Sequence, residues 1–236
     1  MWNNGRITDL GTLDSYSSSY ALDINDAGQV VGYGWSTSSS NHAFLWSNGT
    51  IIDLGIPDGY VSSYASGINE AGRTVGYAST SSYGFGSGNH AFLWSNGTIT
   101  DLGILNDYTG SSASDINNKG LVVGRSYTYD SATGHAFLWK NGTMRDLGTL
   151  GGSESGAYGI NNRGQVVGWA STSTAYSHAF MWLNGKMRDL NSLIPANSGW
   201  ELTEARDINN QGQIVGTGYF NGQTRAYLLT PTWVIN

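Results

Sequence analysis

Apolar residues come in short runs of strand length, and no run holds a helical 3.6-residue period. The first four runs are Tyr20 to Asn25, Gln29 to Tyr33, His42 to Trp46 and Thr50 to Leu54. Val, Ile, Phe, Trp and Tyr fill them, and Gly, Asn and Ser fill the gaps, a distribution that predicts strands. Asn48-Gly49 stands between two runs, and Asn-Gly is a strong hairpin signal because both turn residues adopt positive φ. Asn25 to Gly28 reads as a four-residue turn serving the same purpose. The pattern therefore predicts an antiparallel meander of four strands.

The pattern recurs along the chain. Ile24-Asn25 with Gly28 returns as Ile68-Asn69 with Gly72, Ile116-Asn117 with Gly120, Ile160-Asn161 with Gly164, and Ile208-Asn209 with Gly212. His42-Ala43-Phe44-Leu45-Trp46 returns from His90, His135 and His178, and in altered form as Arg225-Ala226-Tyr227-Leu228-Leu229. Asn-Gly turns followed by Asp-Leu recur from Asn4, Asn48, Asn96, Asn141 and Asn184. Four-stranded units of about 46 residues match the length of propeller blades. The third strand is apolar on both faces, so a lone unit would leave one face wet, and stacking units would bury both. Ala21, Ala65, Ala113, Ala157 and Ala205 precede each turn Asn by four residues, small enough for the innermost strand of a narrow ring.

These observations predict an all-β chain with residues 1–236 as a single five-bladed β-propeller of four-stranded antiparallel blades. The blades fall at about 20–55, 64–103, 112–148, 156–190 and 202–230. The last has three strands of its own. Because Met1 to Gly5 aligns with Leu45 to Gly49, residues 6–11 are expected to supply its fourth and close the ring. Closure would remove the open sheet edges. An open β-solenoid is the alternative fold, and it would need capping units.

Composition narrows the function classes. Of the 236 residues 12% are charged, net charge is −6, and Lys and Arg form no cluster in the sequence, which argues against a nucleic-acid partner. With no cysteine, disulfides and thiol chemistry are excluded. No stretch is apolar enough to span a bilayer. The first residues show no cationic and apolar leader, so any export signal would lie outside this sequence.

Taken together, Ile-Asn-x-x-Gly-x-Val-Val-Gly, His-Ala-Phe-Leu-Trp and Asp-Leu-Gly resemble the HAF repeat family of bacterial proteins. The resemblance covers nearly the whole chain. It implies an extracellular or cell-surface location and supplies no activity, cofactor or catalytic residue. The last unit departs most, with Arg225, Tyr227 and Leu229 in place of His, Phe and Trp.

The repeated polar residues suggest structure rather than chemistry. His42, His90, His135 and His178 head the third strands. Strands spaced about 4.8 Å apart put equivalent positions of neighbouring units roughly 15 Å from one another, too far to share a metal that needs ligands at about 2 Å. Asp9, Asp53, Asp101, Asp146 and Asp189 occur singly, unlike the dense oxygen ligands of a calcium loop or the specialised carboxylate pair of a glycosidase. Asn48, Asn96 and Asn141 match the glycosylation sequon, but their hairpin role already explains them. No metal, cofactor or catalytic residue is therefore expected. Asp130, Glu154, Glu201 and Glu204 are the unit-specific carboxylates that an enzyme would have to use.

The units differ on one face only, where the loops between second and third strands and the links between units emerge. Aromatic residues concentrate there: Tyr33, Trp35, Tyr77, Tyr83, Tyr127, Trp169 and Tyr176 on or beside the loops, and Tyr16, Tyr60 and Tyr108 on the links. Rigid aromatic surfaces beside adaptable Ser, Gly and Asn suit binding. These ten residues are the expected ligand contacts of a monomeric, non-enzymatic binding or adhesion module for a glycan or surface polymer. A structural or protein-interaction scaffold is the alternative.

Overall fold

The computed structural model describes residues 5, 7–36, 40–81, 88–128, 133–174 and 176–231. The described chain is all-β apart from one 3-10 turn at Leu190–Leu193. Five antiparallel meanders follow one another. The first comprises β1 (Ser18–Ile24), β2 (Val30–Trp35), β3 (His42–Ser47) and β4 (Thr50–Gly55). The second comprises β5 (Ser62–Ile68), β6 (Thr74–Ser79), β7 (His90–Ser95) and β8 (Thr98–Asp101). The third holds β9 (Gly110–Ile116), β10 (Val122–Tyr127), β11 (Gly134–Lys140) and β12 (Thr143–Asp146). The fourth holds β13 (Gly151–Ile160), β14 (Val166–Thr172), β15 (Ser177–Leu183) and β16 (Lys186–Asp189). The fifth has β17 (Trp200–Ile208), β18 (Ile214–Phe220) and β19 (Gln223–Leu229). By hydrogen bonding these form four sheets, because one parallel bridge, Gly134 to Glu154, joins the third and fourth meanders into eight strands.

Within each meander the motif residues have separate tasks. The Asn-Gly turns adopt positive φ, for example 50° at Asn48 and 83° at Gly49. The first strand bulges just after its alanine, and the glycine of Val-Val-Gly lies opposite. A Cβ on Gly32, Gly76, Gly124, Gly168 or Gly216 would overlap a carbonyl oxygen of the bulged strand, which explains why every unit has glycine there.

No meander has a core of its own. One cluster joins Val31, Ala43, Leu45 and Leu54 of the first to Ala65, Ile68, Ala78 and Phe92 of the second. The three other clusters repeat this arrangement between successive meanders. Stacking thus buries both faces, and Phe44, Phe92, Phe137 and Phe180 are at most 1% exposed.

Polar groups stitch the same interfaces. Asn25, Asn69, Asn117 and Asn161 each donate from Nδ2 to the backbone carbonyl of the next unit's asparagine, at 2.9–3.0 Å. Each Oδ1 also accepts the backbone N–H four residues on, closing its own turn. Ser63, Ser111 and Ser155 reach back to the preceding unit, accepting from the N–H of Ala43, Ala91 and Ala136 and donating to the carbonyls of Gly55, Gly103 and Gly148.

The ends depart from expectation. Met1 to Asn4 and Arg6 lie outside the described residues, and Ile7 to Gly11 form no strand, with Ile7 96% exposed. No ladder to β19 occurs among the described residues, so the closed ring expected from residues 6–11 is not found. The segment nevertheless keeps the local signature of a fourth strand's end: Gly11 N–H donates to Asp9 Oδ1, and Ser19 donates to the Gly11 carbonyl. Ala21, expected on a packed inner strand, is exposed and has no described unit packed on its outer side, whereas Ala65, Ala113, Ala157 and Ala205 are at most 3% exposed.

Candidate ligand-binding face

The repeated histidines and aspartates meet in pairs. Nδ1 of His42, His90, His135 and His178 lies 2.6–2.7 Å from Oδ2 of Asp53, Asp101, Asp146 and Asp189. The other carboxylate oxygen accepts a backbone N–H two residues on, from Gly55, Gly103, Gly148 or Asn191. Burial pushes the Asp53 carboxyl up, but the His42 and Gly55 hydrogen bonds outweigh it and hold the group below its ordinary value. The pairs tie third strand to fourth. Tyr16, Tyr60 and Tyr108, expected as ligand contacts, pack on His42, His90 and His135 with ring centres 5.6–5.7 Å apart. Tyr60 also donates to Asp101 at 3.3 Å, and its hydroxyl is pushed up to about 12 by burial and by that carboxylate.

Three other expected contacts converge. Tyr33, Trp35 and Tyr77 line a pocket of about 350 Å³ between the first two meanders, together with Tyr64, Asn41 and Ser66. Its three tyrosines belong to a row of four: Tyr20 stacks on Tyr33 at 5.0 Å, Tyr33 meets Tyr64 edge-on at 5.0 Å, and Tyr64 stacks on Tyr77 at 4.9 Å. Such offset and edge contacts hold the rings rigid. Asn41 Nδ2 donates to the Tyr64 hydroxyl at 2.7 Å and fixes the middle of the row. Burial and the neighbouring tyrosines raise the Tyr33 and Tyr77 hydroxyls, so both stay neutral hydrogen-bonding groups. Among the described residues no Asp, Glu, His, Lys or Arg lines the pocket.

Those of the remaining expected contacts that are described do not line this pocket. At the positions equivalent to Tyr33 and Tyr77, the third and fourth meanders place Arg125 and Trp169, with the guanidinium 5.2 Å from the ring centre and 3.0 Å from Glu154. Tyr127 is half-buried and hydrogen-bonds Asn89. Tyr176 is 67% exposed. Tyr83 lies outside the described residues, as does Asp130. Glu204 pairs with Arg206 at 2.7 Å, and Glu201 lies 4.0 Å from His178 Nε2 on the surface. Among the described residues no group of three or more His, Cys, Asp or Glu could hold a metal ion, and no helix is long and apolar enough to cross a membrane.

Tyr20, Tyr64 and Asn41 were not anticipated. Tyr20-Ala21 and Tyr64-Ala65 share one register, and Asn41 and Asn89 both precede the histidine of their unit. Those coincidences were the available signal.

The family described as "Protein of unknown function (DUF3466)" matches residues 105–226, from the link before the third meander into β19. The chain belongs to this family. The match does not confirm the HAF repeat family which the motifs resemble, and it carries no activity. No curated protein matches the sequence. Among solved structures, TolB from Acinetobacter baumannii aligns with a TM-score of 0.52 at 14% identity over 89% of this chain and 54% of TolB. The chain thus spans about half of TolB's length. An acylaminoacyl peptidase of Pyrococcus horikoshii aligns with a TM-score of 0.49 at 18% identity, over 86% of this chain and 32% of the peptidase. A lectin of Aleuria aurantia, described as a six-bladed β-propeller, aligns with a TM-score of 0.44 at 12% identity, over 89% of this chain and 73% of the lectin. These likenesses concern fold alone.

Proposed function

We propose that this DUF3466 protein is a non-enzymatic binding module whose meanders are propeller blades, and that it takes a neutral glycan in the Tyr33–Trp35–Tyr64–Tyr77 pocket at an exported or surface location. The observation that carries this reading is the rigid tyrosine row at a 350 Å³ pocket that contains Asn41 and Ser66 and, among the described residues, no Asp, Glu, His, Lys or Arg. Sugars present apolar C–H faces and a rim of hydroxyls. Aromatic faces suit the former, and tyrosine hydroxyls, Asn and Ser suit the latter. Titrating the full chain with neutral oligosaccharides while following intrinsic fluorescence tests it. Saturable binding that Trp35→Ala weakens about tenfold or more, with the melting temperature unchanged, is the expected result. A glycan array and titration that stay blank at high protein concentration would overturn it.

A second reading, a protein-interaction scaffold, draws on the uncovered apolar faces at the two ends: Ile24 is 63% and Leu228 62% exposed. It predicts concentration-dependent association in sedimentation, abolished by charged substitutions at those two positions.

A further inference from the structure

The opposite face of the molecule carries the short turns, and the sequence makes that face look uniform. Its charges are not uniform. In the turns after the first strands, Asp26 and Glu70 occupy the first two meanders, whereas Lys119 and Arg163 occupy the third and fourth. Between the third and fourth meanders, a groove of about 570 Å³ opens on this side. Lys140, Arg145 and Arg163 line it, and among the described residues no carboxylate does. Its apolar walls are Leu121, Leu138 and Trp182, continuous with the core beneath. The Arg145 guanidinium lies 5.3 Å from the centre of the Trp182 ring, a stacking that orients it. Gly185 sits beside it, where a Cβ would approach Nη2 to 3.3 Å.

Three cations converging on one concavity is unusual in a chain of net charge −6. A cleft lined by one sign of charge concentrates its field on a ligand of the opposite sign. Two guanidinium forks match the oxygens of a carboxylate, sulfate or phosphate, and the apolar walls match a ring carrying such a group. Asp26, Glu70 and the net charge disfavour a long polyanion running across the face. We propose that the groove is a second binding site, for a single sugar-sized unit bearing an oxyanion, independent of the loop-side pocket.

Calorimetric titration of the full chain with glucuronic acid, glucose 6-sulfate, glucose 6-phosphate and glucose tests this. At least one anionic sugar is expected to bind, weakening markedly between about 50 and about 500 mM salt, and glucose is not expected to bind the groove. Arg163→Gln and Lys140→Gln should each weaken the anionic ligand about tenfold. Arg145→Lys, which keeps the charge but loses the fork, should weaken it less than Arg145→Gln. Tyr64→Ala, on the other face, should leave it unchanged, which separates failure of this site from failure of the loop-side reading. Equal binding of glucose, no binding by any of the three anions, or indifference to the Arg163 and Lys140 substitutions in chains of unchanged melting temperature would overturn the proposal. So would binding of oligogalacturonate alone, without any single unit.

Discussion

Ile116 and Ile24 hold the same place in the repeat, yet Ile116 is 3% exposed and Ile24 63%. Val123 and Val215 form a second such pair, at 0% and 45%. The difference follows the direction of stacking. First strands pack their Ala and Ile against the preceding unit, while second and third strands pack Val and Ala against the following one. Burial in this molecule is therefore a property of neighbours rather than of sequence position, as expected for repeats that cannot bury a face alone.

The comparison is broken most forcefully at its apolar pair. Ile116→Ala removes side-chain atoms from a filled inter-unit core, and such losses cost about 2–5 kcal/mol because the surroundings collapse only in part. Ile24→Ala removes atoms that already face solvent, and its cost should stay below about 0.5 kcal/mol. Urea denaturation of both variants measures the gap. Equal losses would mean that the first unit is covered in solution, and the end would then be an interior surface.

The parts of the fold that could be read from sequence are those fixed within a few residues. Asn48-Gly49 and its equivalents announced their hairpins, and Asn25 to Gly28 announced its turn, because those residues satisfy local backbone demands. The expected strands agree with β1 to β4 to within two residues at either end. What crosses between units was harder to see. The asparagine of Ile-Asn marked a turn, but its second role as the next unit's hydrogen-bond donor exists only in space. The histidines and aspartates lie apart in the sequence, and only their constant separation of 11 residues signals their pairing. Residues 6–11 carry true local signals, Asp9 to Gly11 and Ser19, but a ladder also needs a partner edge. The row of tyrosines is hidden in the sequence because the alanines recur in all five first strands, whereas Tyr20 and Tyr64 occupy only two. The cationic groove draws on positions from Leu121 to Gly185 and leaves no cluster in the sequence.

The asparagines give a finer comparison. Asn117 and Asn209 each accept two backbone N–H groups of their own turn. Asn117 in addition donates to the Asn161 carbonyl, while Asn209 donates to Gln213 Oε1 and is exposed. Replacing each with Ala removes the turn bonds in both variants, so the difference between the two sets the buried bond to the next unit against the exposed bond to Gln213. That difference should be about 1–2 kcal/mol against Asn117→Ala, read from the shift in denaturation midpoint. No difference would show that the asparagine ladder contributes nothing beyond its turns.

The pH-dependent effect concerns the carboxylates beside the bulges of the first strands. Asp115 Oδ2 accepts the N–H of Ile160 from the next unit, and Oδ1 accepts that of Ile116. Asp207, its equivalent in the last unit, accepts from its own neighbour Ile208 and is exposed. Burial pushes the Asp115 carboxyl up to about 6. The two backbone bonds act against this shift, and the charges of Asp207 and Asp23 add to it. A folded-state value above the ordinary one means that the folded chain holds its proton more tightly than the unfolded chain. The corresponding stability is complete below about pH 4 and is lost as pH rises through about 6. Asp115→Asn should flatten the stability profile between those limits. Asp207→Asn should only reduce its slope, because it removes one repelling charge and leaves the buried group in place. Thermal melts of the three proteins across that interval decide the matter, and a wild-type profile that rises with pH there would refute the assignment.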